Sequence, residues 1–83
     1  MDGVPMKKSQ HTELYKKLIL ELKVARIRAG LKQSEVAKKL KTYTTYITKC
    51  ESGERKLDVV ELAELCHLYG LTLGEFLKNV GLD

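Results

Sequence analysis

The residues able to do covalent or metal chemistry are few: Cys50, Cys66, His11 and His67. Cys66 and His67 are adjacent. On a helix, adjacent side chains point about 100° apart, so these two cannot form a nucleophile–base pair with each other. No second Cys/His pair has zinc-ligand spacing, so no metal and no cofactor is implied. Both cysteines stand at apolar periodic positions. They read as small core residues in a reducing compartment, with a disulfide as the less favoured alternative. Catalysis is the weakest reading of this chain.

Charge points elsewhere. There are 15 Lys and Arg against 11 Asp and Glu, a formal net charge of +4. An excess of that size suits an anionic partner without proving one. The 83 residues make one small domain, near the lower limit for a core that stands alone. That leaves no room for a second folded domain such as a small-molecule sensor. No apolar run approaches the roughly 18 residues that a membrane helix needs. The first ten residues lack an apolar signal core, so the expected compartment is the cytoplasm and no membrane partner is expected.

The elements that must position any site are helical almost throughout. Apolar residues recur at spacings of three and four between short glycine or threonine breaks, and no stretch alternates with period two. Residues 1–11 read as a flexible N-terminal segment, and residues 12–83 as the folded domain. A first helix is expected to start near Thr12 as N-cap and to bury Leu14, Leu18, Leu22, Ala25 and Ala29, with Gly30 ending it. A second runs from about Gln33 to Leu40, with Val36, Ala37 and Leu40 inward. After Lys41–Tyr43 a third runs from about Thr44 to Ser52, with Ile47 and Cys50 inward and Gly53 as its stop. Asp58 and Glu61 form a capping box for a fourth helix that reaches Tyr69. Thr72 caps a short fifth helix carrying Leu73, Phe76, Leu77 and Val80. Two two-turn helices joined by about three residues describe a helix-turn-helix, and helices so short exist only through packing.

The stretch Arg26-Ile27-Arg28-Ala29-Gly30-Leu31-Lys32-Gln33-Ser34-Glu35-Val36-Ala37 resembles the Cro and phage-repressor (Xre-like) helix-turn-helix family. The likeness continues through Ile47, Glu51, Ser52 and Gly53, then Leu62-Ala63 and Leu71-Thr72-Leu73, covering roughly residues 18–80. Lys49 to Asp58 is similar to a subset of short bacterial regulators in which Leu-Asp replaces the usual proline after the third helix. Two positions depart from the family. Lys41 stands where glycine is common in the turn, so it must accept positive φ or the turn must differ. Tyr43 stands where a Ser/Thr cap of the third helix is usual, which leaves the aim of that helix's first side chains open.

The resemblance implies an all-α, five-helix, lambda-repressor-like DNA-binding domain, with helices two and three forming the helix-turn-helix. It makes the third helix the one that enters the major groove. Thr44, Thr45, Thr48 and Lys49 would then meet base edges, with Lys49 reaching a guanine or a phosphate. The alternative is a solvated threonine-rich face. Gln33 would bond a phosphate and brace Thr44, or merely cap its own helix. Lys41, Arg55 and Lys56 would hold the DNA backbone or remain solvated charges. Tyr43 and Tyr46 would meet the backbone or pack on the first helix. Arg26 and Glu51 match positions that form a semi-buried ion pair in the family; the alternative is two independent surface charges.

One such domain touches few bases, so a homodimer on a roughly palindromic operator is expected. Its interface would use Leu65, Leu68, Tyr69, Leu71, Phe76, Leu77 and Val80, unless these only complete the core. The leading function is a transcriptional regulator, a repressor by occupancy, with duplex DNA as partner. Alternatives are an antitoxin or restriction-control regulator working with a toxin or other protein, and an interaction module that has lost DNA binding.

Overall fold

The computed structural model describes residues 8–82, and their side chains from Glu13 onward. Five helices succeed one another: α1 Lys8–Arg28, α2 Gln33–Lys39, α3 Thr44–Ser52, α4 Val59–Leu68 and α5 Leu73–Val80. No strand occurs among the described residues. The expectation of a flexible N-terminal segment lies outside the described residues for Met1 to Lys7. α1 begins at Lys8 rather than at Thr12. Nothing in Lys8-Ser9-Gln10-His11 breaks a helix, so Thr12 sits inside it instead of capping it.

The local chemistry explains each start and stop. Asp58 accepts from the Glu61 amide at 2.7 Å while the Glu61 carboxylate accepts from the Asp58 amide at 3.0 Å. Thr72 and Glu75 make the same reciprocal pair at the head of α5. Gly53 ends α3 at φ 82°. The backbone therefore favours glycine, and a Cβ there would also press on Ile19 Cδ1 at 3.0 Å.

α1 packs on α3 and α5, α2 on α3, and α4 on α5. Between them lies one core: Leu22, Val36, Ala37, Ile47, Leu62, Leu65, Cys66, Tyr69, Phe76 and Val80. The buried face of α1 differs from the expected stripe. Leu14 and Ala29 are exposed, whereas Ile19 and Arg26 are buried beside Leu22. Moving from Leu14/Ala29 to Ile19/Arg26 rotates the stripe by about one residue, because α1 must meet α3 and α5 together.

The core takes up four of the seven residues expected at a dimer interface. Leu65, Tyr69, Phe76 and Val80 are buried within the domain itself. Leu68, Leu71 and Leu77 are half-buried against the same core. A chain of this size has too little interior to leave those residues over. The four buried ones are used in joining α4 and α5 to the rest of the core.

Candidate nucleic-acid interface

α2 and α3 meet across residues 40–43. The turn closes through the Thr42 amide, which donates to the Ala37 carbonyl at 2.9 Å. Lys41 takes φ 56°, the only positive φ of a non-glycine residue among the described residues. Tyr43 is the N-cap of α3, in extended conformation and with no side-chain capping bond. Its ring therefore projects into solvent, 80% exposed. α3 turns Ile47 and Cys50 inward and leaves Thr44, Thr45, Thr48 and Lys49 exposed.

What holds α3 at this angle is a chain of polar side chains. The Arg26 guanidinium donates to Glu51 through Nε at 2.6 Å and through Nη2 at 3.1 Å. Its Nη1 donates to the Leu31 carbonyl at 2.8 Å, fixing the link between α1 and α2. Hydrogen bonding to Glu51 outweighs burial and raises the Arg26 pKa. Gln33 Nε2 donates to Glu51 Oε1 at 3.0 Å. The Thr48 hydroxyl donates to Gln33 Oε1 at 2.7 Å, with the Thr44 carbonyl 3.1 Å away as an alternative acceptor. Gln33 thus braces Thr48 and Glu51, not Thr44. The Glu51 carboxylate draws the amide toward the second turn of α3, beyond the reach of the first. Nor does Gln33 cap α2: the Glu35 carboxylate accepts from the Lys32 amide there, at 2.8 Å.

A second cluster joins α3 to α4. The Tyr46 hydroxyl donates to Glu61 Oε2 at 2.7 Å, and Arg55 Nη2 donates to the same oxygen at 2.9 Å. The Arg55 guanidinium lies 4.9 Å from the Tyr46 ring centroid. The Asp58 amide, the Tyr46 hydroxyl and Arg55 together hold the Glu61 carboxyl down to about 2. Tyr46 is pushed above its ordinary value by burial and by the Glu61 bond. Tyr46 is thereby tied to α4, a partner its position on α3 did not suggest. Lys56 sits over the Tyr15 ring at 4.0 Å, and the Tyr15 hydroxyl accepts from the Leu57 amide at 3.0 Å. These contacts pin the loop after α3 from both sides.

A helix-turn-helix domain family model matches residues 18–77. The chain belongs to the helix-turn-helix domain family. Comparison with curated proteins and with solved structures gives no match. The domain is an all-α DNA-binding fold, and its implied partner is DNA, with a role in regulating transcription. α3 occupies the place of the recognition helix.

Among the described residues, the side chains of Lys41, Tyr43, Thr44, Thr45 and Lys49 make no hydrogen bond or ion pair within the domain. They form the open surface of the helix-turn-helix. The remaining site residues are committed internally in part: Thr48 and Gln33 to each other, Arg55 to Glu61, and Lys56 to Tyr15. Sequence reasoning missed Glu61 and Tyr15 as the anchors of the loop. The Asp58/Glu61 capping signal was visible, but the second carboxylate oxygen's partners come from α3 and from the loop that follows it.

Both cysteines are buried and unbridged. Burial pushes the Cys66 thiol up to about 11 and raises Cys50 as well. Among the described residues no group of His, Cys, Asp and Glu is placed to hold a metal ion. Among the described residues no helix is long and apolar enough to cross a membrane.

Proposed function

We propose that this helix-turn-helix protein reads duplex DNA by sequence and regulates transcription as a homodimer on an inverted-repeat operator, repressing by occupancy. One observation carries the reading. Lys41, Tyr43, Thr44, Thr45 and Lys49, exposed and without a side-chain partner in the domain, line the turn and the outer face of α3, a helix fixed from behind by the Arg26–Glu51–Gln33–Thr48 chain.

Thr44 and Thr45 read base edges in the major groove, through their hydroxyls and through methyl contact with thymine. Lys49 reaches a guanine edge or a phosphate. Lys41, Tyr43, Arg55 and Lys56 hold the DNA backbone, fixing register and supplying salt-dependent affinity. Gln33 has one amide proton left after its bond to Glu51, enough for one phosphate oxygen. Thr48 acts through Gln33 more than through a base.

The test is selection of binding duplexes from a random pool with the purified protein at physiological salt. Enrichment of an inverted repeat, with half-sites about one DNA turn apart, is the expected result. Enrichment of no sequence overturns the reading.

A further inference from the structure

A cavity of about 150 Å³ lies between α1 and α5, beside the link that joins α4 to α5. Its apolar walls are Val24 and Ala25 of α1, Leu71 of the link and Phe76 of α5. Phe76 is 1% exposed and supplies an aromatic floor. The space exists because the chain places alanine at both 25 and 29, one helical turn apart, where longer apolar side chains would fill it.

One wall is polar as well as buried. Tyr69 lines the cavity and is 8% exposed, and its hydroxyl makes no hydrogen bond among the described residues. Buried tyrosine hydroxyls normally have a partner. Burial, and after it the charge of Glu51, raise the Tyr69 pKa, so the phenol keeps its proton and remains a donor. The rim carries charge. Arg28, in the last turn of α1, lines the cavity, is exposed and makes no ion pair among the described residues. Glu21 lies seven residues earlier, about 10 Å along the helix, and does not pair with it.

These features define an occupant. A dry cavity of about 150 Å³ takes a guest the size of benzene. Aromatic side chains on two of its walls favour a ring. The guanidinium on the rim favours a carboxylate, and Glu21 at the other end opposes a second anionic group. We infer that the cavity between α1 and α5 binds a single-ring aromatic monocarboxylate, with the ring against Phe76 and the carboxylate at Arg28. The chain thus holds a place for a small ligand without a separate sensor domain. The occupant touches both α1 and α5, so binding stabilises the folded domain by mass action.

The test uses benzoate as the probe, with benzyl alcohol and benzylammonium as controls of about the same size. Binding to the full chain is followed by amide resonances and by thermal melts. Benzoate should shift the resonances of Ala25, Leu71 and Phe76 saturably and raise the melting temperature with concentration. Benzylammonium should do neither. Arg28→Glu should weaken benzoate about fivefold or more and leave benzyl alcohol unchanged. Lys23→Glu makes the same change in net charge at an exposed position of α1 outside the cavity, and should leave both unchanged. Ala29→Leu adds bulk at an exposed wall residue without entering the core, and should weaken benzoate and benzyl alcohol alike by at least about tenfold. No saturable shift in the wild-type protein overturns the site. Equal benzoate affinity in Arg28→Glu and Lys23→Glu overturns the carboxylate assignment. Undiminished binding in Ala29→Leu places the ligand elsewhere and overturns the cavity.

Discussion

The Thr48 hydroxyl donates to the side-chain carbonyl of Gln33 at 2.7 Å, joining the exposed face of α3 to the first residue of α2. Glu51, whose carboxylate can only accept, settles which end of the Gln33 amide faces which partner. With the carbonyl oxygen on Thr48, the nitrogen points at Glu51. An exposed threonine therefore acts on a buried ion pair through one intermediate side chain.

Thr48→Val keeps the shape and removes the proton. The expected cost to stability is about 0.5–1.5 kcal/mol, since the bond is exposed and neutral. DNA affinity should fall for all sequences alike, because the loosened group is Gln33. Thr45→Val, by contrast, should change which bases are selected. Repeating the random-duplex selection with both variants distinguishes positioning from reading. A changed consensus for Thr48→Val would show that Thr48 touches a base directly.

Arg26 and Glu51 are 10% and 6% exposed at their side chains and share two hydrogen bonds. Removing one partner leaves a buried charge without compensation. Arg26→Met or Glu51→Leu is expected to cost about 3–5 kcal/mol. In a domain this small each kcal/mol shifts the melting temperature by about 4–8 °C, so either variant should melt well below the wild-type protein. The double variant Arg26→Met/Glu51→Leu should be more stable than either single one. Thermal melts of the three proteins check this; additive losses in the double variant would mean that the two charges act independently.

Glu61 has a pKa of about 2 in the folded protein against an ordinary value of 4.5. Lowering the folded value means that protons bind the unfolded chain more readily. The contribution is present in full above about pH 4.5 and is lost as pH falls toward about 2. Glu75, lowered by the Thr72 amide and hydroxyl, works in the same direction. Melting temperature should therefore drop through this window, and Glu61→Gln should flatten the drop while lowering stability at neutral pH. An unchanged acid limb in the variant would place the acid sensitivity elsewhere.

Much of the fold was legible because its helices are short and sharply punctuated. Gly30, Gly53 and Gly70 take positive φ at helix ends, and Asp58 and Thr72 cap the helices that follow. With Ile47 and Cys50 as the apolar pair, these signals bound α3 at Thr44–Ser52. What could not be read is which apolar residues a small core consumes. Phe76 and Val80 satisfy a core and a dimer equally well in sequence, and only the closure of α5 on α1 decides between them. The same holds for Tyr46. Its spacing places it on α3, but its partner Glu61 lies 15 residues on, already accounted for as a cap. Leu14 and Ile19 both fit a helical stripe; Ile19 is chosen because it packs under Gly53.

Lys41 offers a separation of stability from binding. Its backbone sits at φ 56°, a region that costs a residue with a Cβ roughly 1–2 kcal/mol. Lys41→Gly removes that strain but enlarges the freedom of the unfolded chain, so the net gain should be under about 1 kcal/mol. The same substitution deletes an exposed charge beside the N-terminus of α3. Operator affinity should fall, and the slope of log affinity against log salt should shrink by about one ion, with the selected sequence unchanged. A protein that melts higher, binds more weakly and reads the same bases is the expected outcome. If affinity and salt slope do not change, Lys41 makes no phosphate contact, and the lysine at this strained position has no explanation in DNA binding.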